Sequence, residues 1–574
     1  MHTEESVNVK PVRLHKPAPP EIRQLEHQGC RCADWSLLSI GEVDLNLIHD
    51  VEFIGSNTIE ALDASRWPGC GLSSLRAEGC IFGPGVSVRN ISGRLLGCRI
   101  EEGAEIENVA RIEYEPEASC GEGLQVDVLD APGSRPVKIY SGLSAQSAYL
   151  MARYPHLLEE IFSPQTDAFI EQRGKTPGIG KNAVVRDCGP LINVSVGAEV
   201  RIEGARNLRN GSVVNNAAHG RAYAYVGSGV DAEGFIIEDG CVESGAIIRN
   251  CYVGQGVTIG KGFTAHDSLF FANSQLENGE ACALFAGPYT VSMHKSTLLI
   301  GCQTSFMNAG SATNQSNHMY KLGPVHWGVL ERGVKTSSNS YLMLGARIGA
   351  FSLLMGDHKT HPDSSEFPFS YLFGDARGAT VVVPAMMLRS CGLLRDEKKW
   401  PTRDKRQKRR MPLHDRVCFE VLNPATVSRI LTALTTIKAL LKREADDDLY
   451  LRYKGMKISR ASLERASKLY SLAIYKYLHG KPGLSELPAM NVEEAEQLSG
   501  LWEDVAGQLM PHSIVEEAIA AESVEKREAI FSRAFESYAE LEKEWIAAAL
   551  PSEMLIDPEA IERGAHDFDQ IVEA

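Results

Sequence analysis

The sequence predicts a mainly β chain: a parallel β-helix with a helical insertion and an α-helical C-terminal domain. Three observations predict it. Ile, Val and Leu recur at every sixth residue over long stretches, glycine and small residues punctuate those stretches, and the last part of the chain switches to helical spacing. No α-helix has a period of six, and an ordinary strand alternates by two. Self-similarity at this fixed length marks a solenoid, in which each short turn stacks on the last and buries one apolar residue.

The elements follow in order. Residues 1–50 read as a helical lead-in, with Pro17, Pro19 and Pro20 as a stiff break before EIRQLEHQGC. A first β-helix block spans 51–140, with the beat Phe82, Val88, Arg94, Ile100, Ile106, Ile112, in which Arg94 is the misfit. Residues 141–175 break the beat and carry helical spacing, so they read as an insertion that returns to the solenoid at Ile179. A second block covers 176–397. It runs Ile179, Val185, Leu191, slips to Val196, Ile202, Leu208, Val214, and continues as Ile236, Val242, Ile248, then Val253, Ile259, Ala265, Phe271. Gly and Asn dominate its corners, which often need positive φ. A last coil is expected over Val381–Leu394. Residues 398–423 hold the basic run KKWPTRDKRQKRR and read as a solvated linker, with a phosphate-holding segment as the alternative. From 424 to 574 the apolar residues recur at i, i+3, i+4, i+7, including EEAEQLSGLWEDVAGQLM, which reads as a helix.

Bulk composition narrows the function. With 574 residues, 44% of them hydrophobic, the chain can bury a large core. A formal net charge of −15 argues against nucleic-acid binding, which needs surplus Lys and Arg. The 13 cysteines are mostly scattered singly and match no zinc-knuckle spacing, so reduced thiols and no metal are expected. No apolar run is long enough to span a bilayer, and MHTEESVNVK has no apolar signal core, so a cytoplasmic protein is expected.

Two places where the beat fails gather the candidate chemistry. Between Leu276 and Gly345 the chain is rich in Asn, Ser, His and Gly, which are costly to bury unless partnered. Here Asn308, Asn314, Asn317, His318, Lys321 and His326 suit a substrate-binding role toward a hydroxylated or phosphorylated molecule, with a structural polar network as the alternative. After Leu354 the loop GDHKTHPD supplies Asp357, His358, His361 and Asp363. Histidine titrates near neutrality and can take a proton from an attacking hydroxyl or amine, and a neighbouring carboxylate can fix its tautomer. The alternative is that these histidines only brace the loop.

That loop resembles the acyltransferases of the left-handed β-helix, or hexapeptide-repeat, superfamily. The xenobiotic and antibiotic acetyltransferases among them carry a His and an Asp ahead of Tyr-Pro-Phe and Leu-Phe-Gly. This chain has His361, Asp363, Phe367-Pro368-Phe369 and Leu372-Phe373-Gly374, with Pro362 after the histidine and one extra residue before Leu-Phe-Gly. The resemblance implies a left-handed coil, a homotrimer and acyl-CoA (acetyl-CoA) as co-substrate. It further implies transfer to a hydroxyl or amine of a sugar, sugar nucleotide or related small molecule, with His361 or His358 as general base. The segments EIRQLEHQGCRCADWS, ENGEACALFAGP and SFMNAGSATNQSNHMYKLGP, with the same loop, resemble a bacterial family of large β-helix proteins of unknown function. That likeness implies architecture without an activity, and it leaves a non-catalytic scaffold or small-molecule-binding protein as the alternative.

Overall fold

The computed structural model describes residues 13–130, 133–174, 177–216, 224–316, 327–408, 411–443, 449–481, 502–550 and 557–573. The chain divides into two compact units. One comprises Met1–Glu122 and Gly174–Ile247, the other Gly123–Arg173 and Ile248–Ala574.

The first unit is a stack of short parallel strands in which the six-residue beat becomes three columns of inward side chains. The first column joins Ile40, Ile59, Phe82, Ile100, Ile179, Val196 and Val213. The second runs Ile48, Leu72, Val88, Ile106, Val185, Ile202 and Val226. The third runs Phe53, Ala77, Leu95, Ile112, Leu191, Leu208 and Ala232. All of these side chains are buried. Each fully buried Ile, Val or Leu contributes about 1.5–3 kcal/mol, so a column is a strong register constraint. The misfit at Arg94 resolves as a one-residue slip, because Leu95 takes the inward place while Arg94 reaches Glu78 and Glu113 at the surface.

Three expectations change in register or extent. The N-terminal helix α1 is only Pro19–His27, and the parallel ladder begins at Arg31–Cys32, which pairs with Glu52–Phe53. The lead-in is therefore shorter than residues 1–50, because its later apolar residues already stack on the next coil. Inward pairing at the second slip falls on Val213 rather than Val214. The corners hold stacked left-handed residues: Asn90 (φ 56°), Asn108 (φ 55°) and Asp187 (φ 54°). Their side chains form a ladder, Asn90 Nδ2 donating to Asn108 Oδ1 at 3.1 Å and Asn108 Nδ2 to Asp187 Oδ1 at 2.9 Å. Asn and Asp tolerate this backbone conformation because their short polar groups bond locally.

In the second unit the insertion is helical as expected, with α2 at Ala145–Arg153 and α3 at Ser163–Arg173. Its parallel coils continue as columns such as Ala265, Ala281, Leu299, Gln315, Leu342 and His358. The expected coil over Val381–Leu394 does not form. Thr380–Val383 instead turns back antiparallel on Tyr371–Gly374, and the hairpin Tyr450–Tyr453/Met456–Ser459 adds to it in parallel. These strands cover an edge that would otherwise offer unpaired N–H and C=O groups. Among the described residues the cysteines are free thiols, and Cys80, Cys98, Cys251 and Cys302 are fully enclosed. No described helix is long and apolar enough to cross a membrane.

The C-terminal part holds helices α4 (Cys391–Thr402), α5 (Lys405–Lys408), α6 (Pro424–Leu441) and α7 (Arg460–Leu478). They are followed by α8 (His512–Ile519), α9 (Val524–Glu536), α10 (Tyr538–Ala549) and α11 (Pro558–Glu573). One expected helix is partly a β-hairpin: Trp502–Val505 pairs antiparallel with Gln508–Pro511. Ala506 (φ 47°) and Gly507 (φ 99°) make its two-residue turn, and two positive φ values suit a tight hairpin loop.

The basic run is not a solvated linker. Its described residues form α5 and a buried strap centred on Arg406, which donates through Nε and Nη2 to Asp404 at 3.0 and 2.8 Å and through Nη1 to the Asp415 carbonyl at 2.6 Å. Asp415 in turn accepts the amides of Ala145 and Ala272, both at 2.7 Å, and Asp404 accepts Asn273 Nδ2 at 3.0 Å. Burial pushes the Asp404 carboxyl up, but the hydrogen bonds and charge of Arg406 pull it below its ordinary value. Removing one partner of a buried ion pair costs about 3–5 kcal/mol. Arg406→Met is therefore expected to lower the urea midpoint of the whole chain markedly. An unchanged midpoint would mean that the strap does not hold the unit together.

Candidate functional site

The loop after Leu354 places its four candidates in different surroundings. His358 is fully buried on the inward column above Leu342, with Nδ1 2.9 Å from Thr380 Oγ1. Burial pushes its imidazole down to about 4, so the ring is neutral at pH 7 and out of reach of a solute. Asp357 faces outward on the row of Asn314 and Tyr341. His361 is exposed, and its carbonyl lies so close to the turn at Gly455 (φ 75°) that a Cβ there would sit 2.9 Å away. Asp363 accepts Ser365 N at 3.1 Å and Ser365 Oγ at 2.6 Å, and bridges to Arg347 on the neighbouring coil.

The earlier polar set is split as well. Asn308 is exposed on the row of Val291 and Lys335, whereas Asn314 lies on the row of Leu298 and Tyr341. The structure does not bring these two asparagines together. Asn317, His318, Lys321 and His326 fall outside the described residues. Several polar residues of this stretch take inward places: Ser292 above Leu276, Gln315 below Leu342 and Thr336 below Leu354. Thr336 Oγ1 is satisfied there by Gly310 N at 2.9 Å and Thr313 Oγ1 at 2.6 Å.

A cavity of about 240 Å³ lies elsewhere in the second unit, and four separate segments build it. Its floor is an outward row of the coils, Phe285, Gln303, Val329 and Arg347, in register. Helix α2 and the residue after it contribute Tyr149, Arg153 and Tyr154, and the first turn and a half of α6 contributes Ala425, Thr426 and Arg429. The hairpin adds Trp502, Glu503 and Asp504. Asn423 caps α6 by accepting Thr426 N at 3.1 Å, which fixes that helix start against the cavity.

Its charges are unequally matched. Four arginines (Arg153, Arg332, Arg347, Arg429) face three carboxylates (Glu331, Glu503, Asp504). Every carboxylate is engaged. Asp504 accepts Gly507 N at 2.6 Å and Ser305 Oγ at 3.1 Å, and lies 3.5 Å from Arg332 Nη1. Glu503 meets His512 Nδ1 at 2.5 Å and accepts the Tyr149 hydroxyl at 3.5 Å. Glu331 lies 3.5 Å from Arg429 Nη2, and burial pushes its carboxyl up although Arg429 and Arg347 pull the other way. Arg332 is held by the carbonyls of Cys418 and Gly507 and stacks 4.1 Å over Phe306. Among the described residues, neither Arg153 nor Arg347 has a carboxylate within 4 Å. Surplus guanidinium in a partly desolvated cavity is an anion site.

None of these residues was a candidate in the sequence. Glu331 and Arg332 were hidden because their neighbours Val329 and Leu330 read only as a coil, and Trp502–Asp504 read as helix. The one visible signal was Arg347, a charge set against the apolar beat. Among the described residues, no group of three or more His, Cys, Asp or Glu side chains is placed to hold a metal ion. A family model described as a domain of unknown function (DUF4954) matches residues 15–441. No curated protein matches the chain.

The buried His358 generates a test. The unfolded ring titrates near its ordinary value of about 6.5 and the folded one at about 4. The unfolded state therefore binds more protons across that window, and stability falls as pH drops from about 6.5 to about 4, by about 3 kcal/mol in all. His358→Leu, which matches Leu342 below it, is expected to flatten this part of the pH–stability curve measured by urea unfolding. An equally steep curve in the variant would place the titrating group elsewhere.

Proposed function

We propose a function for this chain, which belongs to the DUF4954 family: it binds a small anionic molecule in the arginine-lined cavity of its second unit. One observation carries the reading. Every cavity carboxylate already has a partner, while Arg347 and Arg153 have no carboxylate within 4 Å among the described residues. A guanidinium left unmatched beside apolar walls is compensated by an incoming carboxylate or phosphate, which it holds through two parallel hydrogen bonds. The Phe285 and Trp502 rings and Leu509 supply the apolar wall that makes such a pair stronger than in water.

Acyl transfer from acyl-CoA to a hydroxyl or amine is the second reading. It is favoured by the exposure of His361 on its loop, next but one to the Asp363–Arg347 bridge. The left-handed coil and the homotrimer belong to that same reading. With His358 enclosed, it rests on His361 alone as general base.

Calorimetric titration of the full-length protein with inorganic phosphate, succinate and acetyl-CoA tests both readings. Succinate or phosphate is expected to bind, and Arg347→Ala is expected to weaken it at least about tenfold, or about 1.4 kcal/mol. Absence of heat with either acid, or an unchanged affinity in Arg347→Ala, would sink the anion site. Heat with acetyl-CoA that is lost in His361→Ala would favour acyl transfer.

Glu331 adds a pH dependence. As an internal anion it competes for Arg429, and burial already raises its carboxyl. Protonating it as pH falls frees Arg429, so binding of an acid that stays ionised tightens toward lower pH. Glu331→Gln is expected to bind succinate more tightly at pH 7 and to lose most of that pH dependence. Weaker binding in this variant would mean that Glu331 positions Arg429 rather than competing with the ligand.

A further inference from the structure

The cavity has two chemically different ends. At one, Arg429 lies 3.5 Å from Glu331 and Arg347 projects from the adjoining coil. At the other, Ser305 holds Asp504 at 3.1 Å, which brings the hairpin up to Gln303. Gln303 and Arg347 are two coils apart on the same row, through Val329. Adjacent strands are spaced by about 4.7–4.9 Å, so the two ends are about 9–10 Å apart.

The end away from the arginines holds polar atoms without partners. Gln303 Oε1 and Trp502 Nε1 are enclosed and have no hydrogen-bond partner among the described residues. Trp502 is only 5% exposed, and both residues line the cavity. One atom is an acceptor and the other a donor. Leaving such a group unpaired costs about 1–3 kcal/mol, and native interiors rarely tolerate it without reason. An aliphatic acid would fill the space and leave both unpaired. A hydroxyl group donates and accepts at once, so one or two hydroxyls would satisfy both. The volume of about 240 Å³ is below the roughly 300–1,000 Å³ of pockets that enclose drug-sized ligands, so a small metabolite fits better than a whole nucleotide cofactor.

We propose that the anion bound here is a polyhydroxylated acid, with its charged head at Arg347 and Arg429 and its hydroxyls at Gln303 and Trp502. The inference rests on the anion-site reading above and names its ligand class. A phosphate ester and a carboxylic acid share this chemistry, and the experiment separates them.

Calorimetry on the full-length protein compares two matched pairs: gluconate with hexanoate, and glucose 6-phosphate with inorganic phosphate. At least one hydroxylated member is expected to bind about tenfold or more tighter than its plain counterpart, and which pair shows it identifies the head group. Gln303→Met and Trp502→Phe are expected to erase that advantage while leaving the plain acid's affinity as it was, which also shows that each variant is folded. If plain and hydroxylated acids bind equally, or if both variants keep the full preference, the hydroxyl assignment is overturned and the anion site stands. If none of the four binds, the anion site fails and takes the inference with it.

Discussion

Inward stacking at one position per strand is the constraint on which the first unit depends. A side chain on a coil has its principal neighbours directly above and below, in the same column, so Ile106 must suit Val88 beneath and Val185 above. Shifting a strand by one residue would turn its whole apolar set outward. That is why Leu95 replaces Arg94 without disturbing the coils on either side, and why the charged residue left outside is immediately paired with Glu78 and Glu113. The same rule applies in the second unit, where polar side chains replace apolar ones. Thr336 and His358 hold inward places there only because Thr313, Gly310 and Thr380 give their polar atoms partners.

This rule also explains what was legible in the sequence. A column is a local periodic signal, so the solenoid, its slips and the helical insertion could all be read from spacing. The helices α6 and α7 were readable for the same reason. The hairpin at Trp502–Pro511 was not, because its apolar positions fit a helical spacing as well and the choice is made by the positive φ of Ala506 and Gly507. His358 illustrates the opposite error. In the sequence a histidine after a coil looks like a projecting base, yet register with Leu342 puts it inside. The cavity escaped for a third reason: Tyr149, Arg347, Arg429 and Trp502 come from segments far apart in the chain, and no spacing rule joins them.

Charge is handled differently on the surface and inside the second unit. Arg406 is enclosed with Asp404, and every remaining acceptor of that pair is used by backbone or amide groups. Such a network tolerates no vacancy, which suits a strap rather than a site. The cavity arginines differ in kind. Arg332 is fully committed to carbonyls and an aromatic face, whereas Arg347 stands on an open row beside it. Committed guanidinium supports the wall, and uncommitted guanidinium carries the chemistry.

The excursion between two neighbouring coils of the first unit has a consequence in time. Ile100, Ile106 and Ile112 pair directly with Ile179, Val185 and Leu191, so the coil that covers the first block is encoded about 80 residues downstream of it. At a synthesis rate of about 5–20 residues per second, that covering strand reaches its place about 4–16 s after the edge it covers has been made. Throughout that interval the nascent chain presents an unpaired parallel edge, which other chains could join. Charged residues flank the edge's apolar positions at Arg99, Glu101, Glu105, Glu107, Arg111 and Glu113, and they work against such joining while the ribosome catches up.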